Sequence, residues 1–277
     1  MELMRVRSYR HVLSFFYSNV LAKTAKRCSV EFIGWADRGL GAYPLFCITV
    51  GDSRDAGLKD VLISAGIHGE EPAGVYALLK FLAEDISDFT DDYRFLIFPC
   101  INPFGFEHNQ RLNQEGMNIN REFKKDSLCR EANRVMTTLG RKARKFLCTI
   151  DLHETDPNYI GESFTEADNP QEFYMWEACP DKSLRIGDEV ILNVERRVPV
   201  CRWDRIYDDI NNDGVIWYPE GCLNRVYAQG TTLEAFLNAN YTPQAFTIET
   251  PCGWPMEQRV LAHRVALRSI LELKRSV

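Results

Sequence analysis

Apolar and polar residues along this chain follow two periods, and the changes between them predict an ordered series of strands and helices. Short runs rich in β-branched and aromatic residues, bounded by Gly and Asp, predict buried strands at 30–35, 43–50, 60–67, 93–101, 146–152 and 245–250. Apolar residues at helical spacing predict helices around 8–23, 72–86, 127–144 and 256–275. Because strands and helices alternate, we expect an α/β fold, a three-layer sandwich with a mixed central β-sheet flanked by helices.

The length and charge of the chain narrow the function classes. Its 277 residues are 45% hydrophobic, enough for a single catalytic domain over residues 1–277. The net charge of -6 opposes the phosphate backbone, so nucleic acid is excluded as a predicted partner. Residues 154–220 hold 16 Asp and Glu against 6 Lys and Arg, with weak periodicity. We interpret them as an elaborated acidic loop region over one end of the sheet, where α/β proteins place their sites.

The amino-terminal segment and the cysteines bear on location. Arg5, Arg7, Arg10 and His11 interrupt the apolar residues of the first helix, so the pattern is not that of a signal peptide, and no segment has about 20 consecutive apolar residues. The nine cysteines are scattered without paired spacing, which is typical of reduced thiols. The sequence therefore predicts a cytoplasmic protein without a membrane partner.

Candidate metal ligands follow two of the predicted strands. His68 and Glu71 stand three residues apart on the turn between the strand VLISAGI and a helix, so their side chains can converge on one ion. His153 leaves the strand LCTIDLHE at the carboxyl end, which lies at the same edge of a parallel sheet. Catalytic zinc commonly takes three such ligands and leaves a fourth position to water. We therefore expect one Zn²⁺ per chain.

Several further motifs occur in order: NPFG at 102–105, RLNQEGMNINREF at 111–123 and FTIETP at 246–251. With HGEE and DLHE they resemble the HxxE, NPxG, RxNxxGxDLNRxF, second-histidine and catalytic-glutamate segments of the zinc carboxypeptidases, the M14-type metallopeptidases. The similarity is to their short branches, the murein-peptide amidases and the succinylglutamate desuccinylase/aspartoacylase-like deacylases. It spans residues 61 to 251 and implies an α/β sandwich with a mixed eight-stranded sheet.

The resemblance implies a role for each matching residue. His68, Glu71 and His153 would bind zinc, Glu249 would be the general base, and Arg111 would stabilise the oxyanion. Substrate would be bound by the following residues: Asn120 and Arg121, which would hold a carboxylate, and Tyr227, which would match the mobile tyrosine. These roles suit the chemistry, because a carboxylate can take the proton of a water molecule and a guanidinium offers a rigid fork for carboxylates and oxyanions.

One position departs from the family pattern, and the acidic region contains a second metal-like pattern. Asn118 stands where the family usually has Asp, so a neutral amide would orient His68. The segment from Asp209 to Gly214, followed by Glu220, matches a calcium-loop pattern, but Pro219 and Gly221 oppose the exiting helix that such a loop needs. We therefore predict a tight turn at 209–220 and not a calcium site.

Three functions remain open on the sequence. The leading hypothesis is a zinc metallo-carboxypeptidase or amidase that hydrolyses an amide bond near a free carboxylate in a small peptide. The second is an N-acyl amino acid deacylase with the same ligands. The third is a non-catalytic metal-binding module that recognises peptides, although such a module needs neither Glu249 nor Arg111. The acidic region 154–220 would favour a cationic group on the substrate if it faced the cleft.

Overall fold

The central sheet is the feature that organises this molecule, whose computed structural model describes residues 7–21, 28–36, 43–51, 57–160, 164–219, 226–227 and 230–275. Within these ranges the strands are β1 Cys28–Trp35, β2 Pro44–Val50, β3 Lys59–Ala65, β4 Tyr93–Phe98, β5 Cys148–Thr155, β6 Tyr174–Ala178, β7 Arg205–Ile206, β8 Asp209–Ile210, β9 Val215–Tyr218, β10 Val226–Tyr227, β11 Gly230–Thr231 and β12 Ala245–Pro251. Eight of them form one sheet in the order β1-β2-β4-β3-β5-β12-β6-β9. Strands β4, β3, β5 and β12 are parallel, whereas β12 and β6 are antiparallel, so the predicted mixed sheet is confirmed.

Helices cover both faces of this sheet. They are α1 Tyr9–Phe15, which continues in π-helical turns to Leu21, α2 Pro72–Lys80, α3 Pro103–His108, α4 Arg130–Lys142, α5 Gly187–Val194, α6 Leu233–Asn240 and α7 Met256–Lys274. Helices α2, α5 and α7 share one apolar core with one face of the sheet. Helices α4 and α6 share a second core with the opposite face. The result is the three-layer sandwich that the pattern predicts.

The acidic region 154–220 differs from its predicted loop character. It supplies β6, α5 and β9, and thereby two of the eight strands of the central sheet. Both strands are short, and β6 contains a charged residue, Glu177, which hides the alternation. Glu177 is fully buried and accepts hydrogen bonds from the N–H groups of Ile186 and Gly187 at the start of α5. Glu177 is therefore a structural residue of the fold and not a solvent-exposed charge.

Alternation along β5 sets which side chains reach the site. Ile150 and Leu152 point into the core shared with α2 and α7. Asp151 and His153 lie on the other face, because successive residues of a strand point to opposite sides.

Among the described ranges, none of the helices combines the length and apolar character needed to cross a bilayer.

Candidate functional site

The loop that carries His68 and Glu71 is fixed by close packing at the end of β3. Gly69 lies against the backbone of the turn that begins α3, and a Cβ atom on Gly69 would come within 1.9 Å of the carbonyl carbon of Gly105. Asn102 caps that turn by accepting a hydrogen bond from the N–H of Gly105 at 2.9 Å. The motifs HGEE and NPFG are therefore adjacent in space, and each needs its glycine.

The three predicted metal ligands meet in one buried cluster. His68 Nδ1 lies 2.7 Å from Glu71 Oε1, and His153 Nδ1 lies 2.9 Å from Glu71 Oε2. One potential ligand atom from each residue lies within 4.8 Å of the others. The side chains are 3 to 4% exposed, so little water competes for these atoms.

The second nitrogen of each histidine also has a partner. His68 Nε2 lies 3.3 Å from Asn118 Oδ1, so the amide that replaces the family Asp occupies the orienting position. His153 Nε2 lies 3.0 Å from Asp151 Oδ2, and Asp151 Oδ1 accepts a hydrogen bond from Ser64 Oγ at 2.7 Å. Such partners fix the ring and the tautomer, and leave both Nδ1 atoms to act as ligands.

The donor set fits a metal ion. Two imidazole nitrogens and one carboxylate are ligands that catalytic zinc commonly takes, and their outer hydrogen bonds are already satisfied. Burial lowers the pKa of His68 to about 4, so His68 is neutral near neutral pH and able to ligate a metal ion. Burial also opposes a charge on His153, but Asp151 and Glu71 outweigh it and raise the pKa of His153 well above its usual value. A metal would replace the proton that His153 then shares with the carboxylates.

Glu249 lies beside this cluster on the neighbouring strand. It is the register partner of His153 in the parallel pair of β12 and β5, and of Tyr174 in the pair of β12 and β6. Its Oε2 accepts a hydrogen bond from Thr155 Oγ1 at 3.2 Å. Burial raises the pKa of Glu249 to about 8, which is suited to a group that gains and loses a proton near neutral pH.

The predicted cationic residues line the same cleft. Arg111 Nη1 lies 3.0 Å from Glu70 Oε1 and 3.1 Å from Glu71 Oε1, and its guanidinium carbon lies 5.1 Å from the centre of the Tyr159 ring. Arg121 donates to the carbonyl of Asn120 at 2.7 Å. These contacts bring Arg111 to the predicted metal ligands, and both arginines line the cleft.

Asn120 is oriented by the first turn of α6. Its Oδ1 accepts a hydrogen bond from the N–H of Leu233 at 2.8 Å, so the side-chain Nδ2 is the atom that can donate toward a ligand. Tyr227 lies on β10, and its side chain is outside the described residues, so its predicted contact with substrate stays a prediction.

A cleft of about 280 Å³ opens over these residues. Its far wall comes from the region 154–220 and from α6, and is rich in aromatic and acidic side chains: Asp156, Tyr159, Phe164, Tyr174, Trp176, Tyr207, Asp208, Asp209, Tyr218 and Glu234. Tyr174 and Trp176 pack edge to face with ring centres 5.1 Å apart. The acidic region thus faces the cleft, as the hypothesis of a cationic substrate group requires.

Asp151 and Tyr159 are among the site residues that the sequence interpretation misses. Asp151 could have been found, because it precedes His153 by two positions and so lies on the same face of a strand. Tyr159 gave no local signal, because its contact with Arg111 joins segments far apart in the chain.

The calcium-like pattern forms a turn closed by an asparagine side chain. Asn211 Oδ1 accepts from the N–H of Gly214, and Asn211 Nδ2 donates to the carbonyls of Cys201 and Trp203. Both ends of the Asn211 amide are thereby used, the oxygen within the turn and the nitrogen by the segment that precedes it. Glu220 lies outside the described residues.

Solved structures with the same fold are metallopeptidases by name. A candidate metallopeptidase from Shewanella amazonensis SB2B has a TM-score of 0.77 at 22% identity, covering 96% of this chain and 93% of its own. A metallo-carboxypeptidase from Burkholderia cenocepacia has a TM-score of 0.64 at 20% identity, with 97% and 69% covered. Carboxypeptidase A from Helicoverpa armigera has a TM-score of 0.70 at 14% identity, with 99% and 75% covered. The fold is therefore of the metallocarboxypeptidase-like class.

A family model narrows this class. Residues 57–181 match the succinylglutamate desuccinylase/aspartoacylase catalytic domain. No curated protein matches the sequence significantly. Together with the fold, the family match confirms the resemblance found in the sequence, to M14-like hydrolases of the desuccinylase and aspartoacylase kind.

Proposed function

We propose that this chain is a zinc-dependent hydrolase that cleaves an amide bond near a free carboxylate in a small peptide. The observation that carries the proposal is the joint placement of His68, Glu71 and His153 with Glu249, which is the strand partner of His153. A metal-binding peptide module would need the first three residues but not a buried carboxylate beside them. The scattered cysteines favour a cytoplasmic location for this activity.

The residues of the chain divide the chemistry among them. Bound zinc would polarise the scissile carbonyl and acidify a water molecule. Glu249 accepts the proton of that water and passes it to the leaving amine, and its raised pKa suits both directions of transfer. Arg111 stabilises negative charge on the carbonyl oxygen from a position already fixed by Glu70 and Glu71.

Another part of the cleft lining selects the substrate. Asn120 and Arg121 lie together there, and an amide with a guanidinium can donate several hydrogen bonds to one carboxylate. We therefore assign the free carboxylate of the substrate to this pair. The remaining aromatic and acidic wall receives the other parts of the substrate.

A deacylase of N-acyl amino acids is the second candidate function. It is favoured by the match of residues 57–181 to the desuccinylase/aspartoacylase domain. Such a substrate also places a carboxylate near the scissile amide, so the same residues would serve both reactions. The difference lies in the size and charge of the acyl part.

Metal analysis combined with a substrate panel tests the proposal. The protein should hold about one zinc per chain and cleave short peptides with a free carboxyl terminus, with the Glu249→Gln protein as the inactive control. Each peptide is paired with its carboxyl-amidated form, which should be a poor substrate. Equal cleavage of both forms would show that Arg121 does not bind the substrate carboxylate. Cleavage of N-acyl amino acids alone would favour the deacylase function. If no substrate is hydrolysed in a metal-dependent way, both proposed functions are wrong.

A further inference from the structure

A buried polar junction lies beside the proposed metal centre, where helices α2 and α7 pack against the central sheet, and its central residue is also part of the cleft lining. Its centre is Glu154, which follows His153 on β5 and is only 2% exposed. Glu154 Oε2 accepts a hydrogen bond from the N–H of Ala73 at 2.6 Å, and Glu154 Oε1 lies 2.8 Å from Arg259 Nη1. The carboxylate therefore links β5 to α2 on one side and to α7 on the other.

The contact with Ala73 supplies a hydrogen-bond acceptor that the amino terminus of helix α2 otherwise lacks. Glu71 is the residue before the helix and gives no side-chain cap, and Pro72 has no N–H to donate. The residues Pro72 to Leu79 are all buried, so solvent cannot reach the N–H of Ala73. A carboxylate at a helix amino terminus both accepts this hydrogen bond and interacts favourably with the helix dipole.

The junction joins the segments that carry three site residues. Ala73 follows the ligand Glu71 by two positions, Glu154 follows the ligand His153, and Thr250 follows Glu249. Thr250 Oγ1 lies 3.4 Å from Glu154 Oε1, and the backbone N–H of Glu154 donates to Glu71 Oε2 at 3.1 Å. Glu154 thus contacts the segment of Glu71 and the segment of Glu249, and is covalently joined to His153.

Close packing reinforces this connection. A Cβ atom on Gly74 would lie 2.8 Å from the carbonyl oxygen and the Cβ of Leu152, so α2 begins in direct contact with β5. Glu154 and Gly74 together define the spacing between Glu71 and His153. Arg259 balances the charge of a carboxylate that would be costly to bury alone.

We infer that Glu154 is a positioning residue for the metal centre, which holds Glu71 at ligand distance from His153 without touching substrate or metal. The inference rests on the proposed zinc function. It explains why a glutamate follows His153 on a buried strand, where an apolar residue would be expected. Outer partners of metal ligands commonly change metal affinity by about 10 to 100-fold when they are removed.

The experiment compares Glu154→Gln with Glu177→Gln. Glu177 is a matched control, because it is also a buried strand carboxylate that accepts N–H groups at a helix start and pairs with an arginine, Arg185. Zinc dissociation constants are measured by chelator competition, and the melting temperature of each zinc-free protein is measured separately. Both variants should lower the melting temperature, whereas Glu154→Gln alone should raise the zinc dissociation constant by about 10 to 100-fold.

Each outcome bears on the inference. A Glu154→Gln protein with wild-type zinc affinity would overturn the inference, because the expected effect would be absent. An equal loss of zinc affinity in Glu177→Gln would also overturn it, because the effect would then be common to any buried carboxylate of this kind. If Glu154→Gln does not fold, Arg259→Met is the second variant, because it keeps the hydrogen bond from Ala73 to Glu154. It should give a smaller rise in the zinc dissociation constant. An unchanged zinc dissociation constant in Arg259→Met would also overturn the inference. A wild-type protein that binds no zinc would instead refute the proposed metal chemistry, and this inference with it.

Discussion

Glu71 is the central residue of the proposed metal centre, because each of its carboxylate oxygens faces a different histidine. Burial disfavours its charge, yet the adjacent His68 and His153 outweigh burial and hold the pKa of Glu71 well below its usual value. The ligand is therefore ionised before any metal arrives. His68 and His153 are bound to opposite oxygens of this carboxylate, so loss of either ring opens one side of the site.

Replacement of either histidine tests the ligand set. His68→Ala or His153→Ala removes one of three protein ligands, so both zinc content and hydrolysis should fall to background. Metal content is measured after dialysis, with His108→Ala as a control outside the cluster. Full zinc occupancy in the His153→Ala protein would exclude this residue from the site.

Glu249→Gln keeps the shape of the side chain but cannot accept a proton. Turnover should fall on the order of a hundredfold or more while zinc is retained, as measured by steady-state kinetics beside metal analysis. Near-normal turnover would assign the base to another carboxylate. Glu154 is a poor alternative, since its side chain is bound to Ala73 and Arg259, and Glu70 is held by Arg111.

The raised pKa of Glu249 also predicts a pH dependence of stability in the zinc-free protein. The folded state keeps this proton up to about pH 8, whereas the unfolded chain loses it near the ordinary value of 4.5. Between these values the folded state binds more protons, so the stability of wild type relative to Glu249→Gln should fall as pH rises from about 5 to 8. Denaturant midpoints in the presence of a chelator measure this difference, and a constant difference across that range would contradict the prediction.

At the scale of elements, the site depends on contacts between loops that the sheet brings together. The HGEE loop ends β3 and the NPFG turn begins α3, and the two touch through Gly69 and Gly105. Arg7, just before α1, donates hydrogen bonds to the carbonyls of Gly69 and Phe106 and so fastens both loops from behind. The loop that carries His68 and Glu71 is therefore held by β3, by the NPFG turn and by Arg7.

Two glycine substitutions separate this packing from general helix effects. Gly69→Ala places a methyl group against the backbone of Gly105, so it should destabilise the protein by about 1 to 3 kcal/mol and weaken zinc binding. Gly140→Ala lies in α4 with open space around the added carbon, so it should stabilise by about 0.5 to 1 kcal/mol with zinc binding unchanged. Thermal unfolding and chelator competition give both quantities, and a fully tolerated Gly69→Ala would show that the loop contact is soft.

The sequence predicts the elements whose signal is local and misses those decided by tertiary contacts. Helix α7 and strands β3 and β5 have long, regular patterns and were predicted to within a few residues. Strands β6 and β9 are only five and four residues long, and the pairing of β6 with β12 and of β9 with β6 joins segments far apart in the chain. In the site, His68 and Glu71 share one turn, so their proximity can be predicted from the sequence. The contact of Glu154 with Ala73 spans 81 residues and has no local signature.

At the scale of the whole molecule, charge is unevenly distributed. The chain carries -6 in total, and the wall of the cleft contributed by 154–220 and α6 includes Asp156, Asp208, Asp209 and Glu234. Walls of one sign focus the electrostatic field in a cleft and raise the local concentration of oppositely charged ligands. The molecule as a whole should therefore favour substrates with a cationic group.

A peptide ending in Lys, compared with one ending in a neutral side chain of similar length, tests this preference. At low salt kcat/KM should favour the Lys peptide by about tenfold, and the ratio should shrink as salt rises, because screening acts beyond about 10 Å at 0.1 M. A preference that does not change with salt would place one carboxylate, such as Glu234, in direct contact with the substrate. Equal kcat/KM values at low salt would show that the wall does not steer substrate.

The position of β12 in the sheet has a consequence for the order in which the molecule is made. This strand is synthesised after all the other sheet strands, yet it lies between β5 and β6 and is the strand that joins them. As the chain is synthesised, His68 and Glu71, which follow β3, and His153 on β5 therefore leave the ribosome before the segment that bears Glu249. We therefore expect that a nascent chain can bind a metal ion before it can hydrolyse an amide bond, because the proposed general base arrives with the last strand of the sheet.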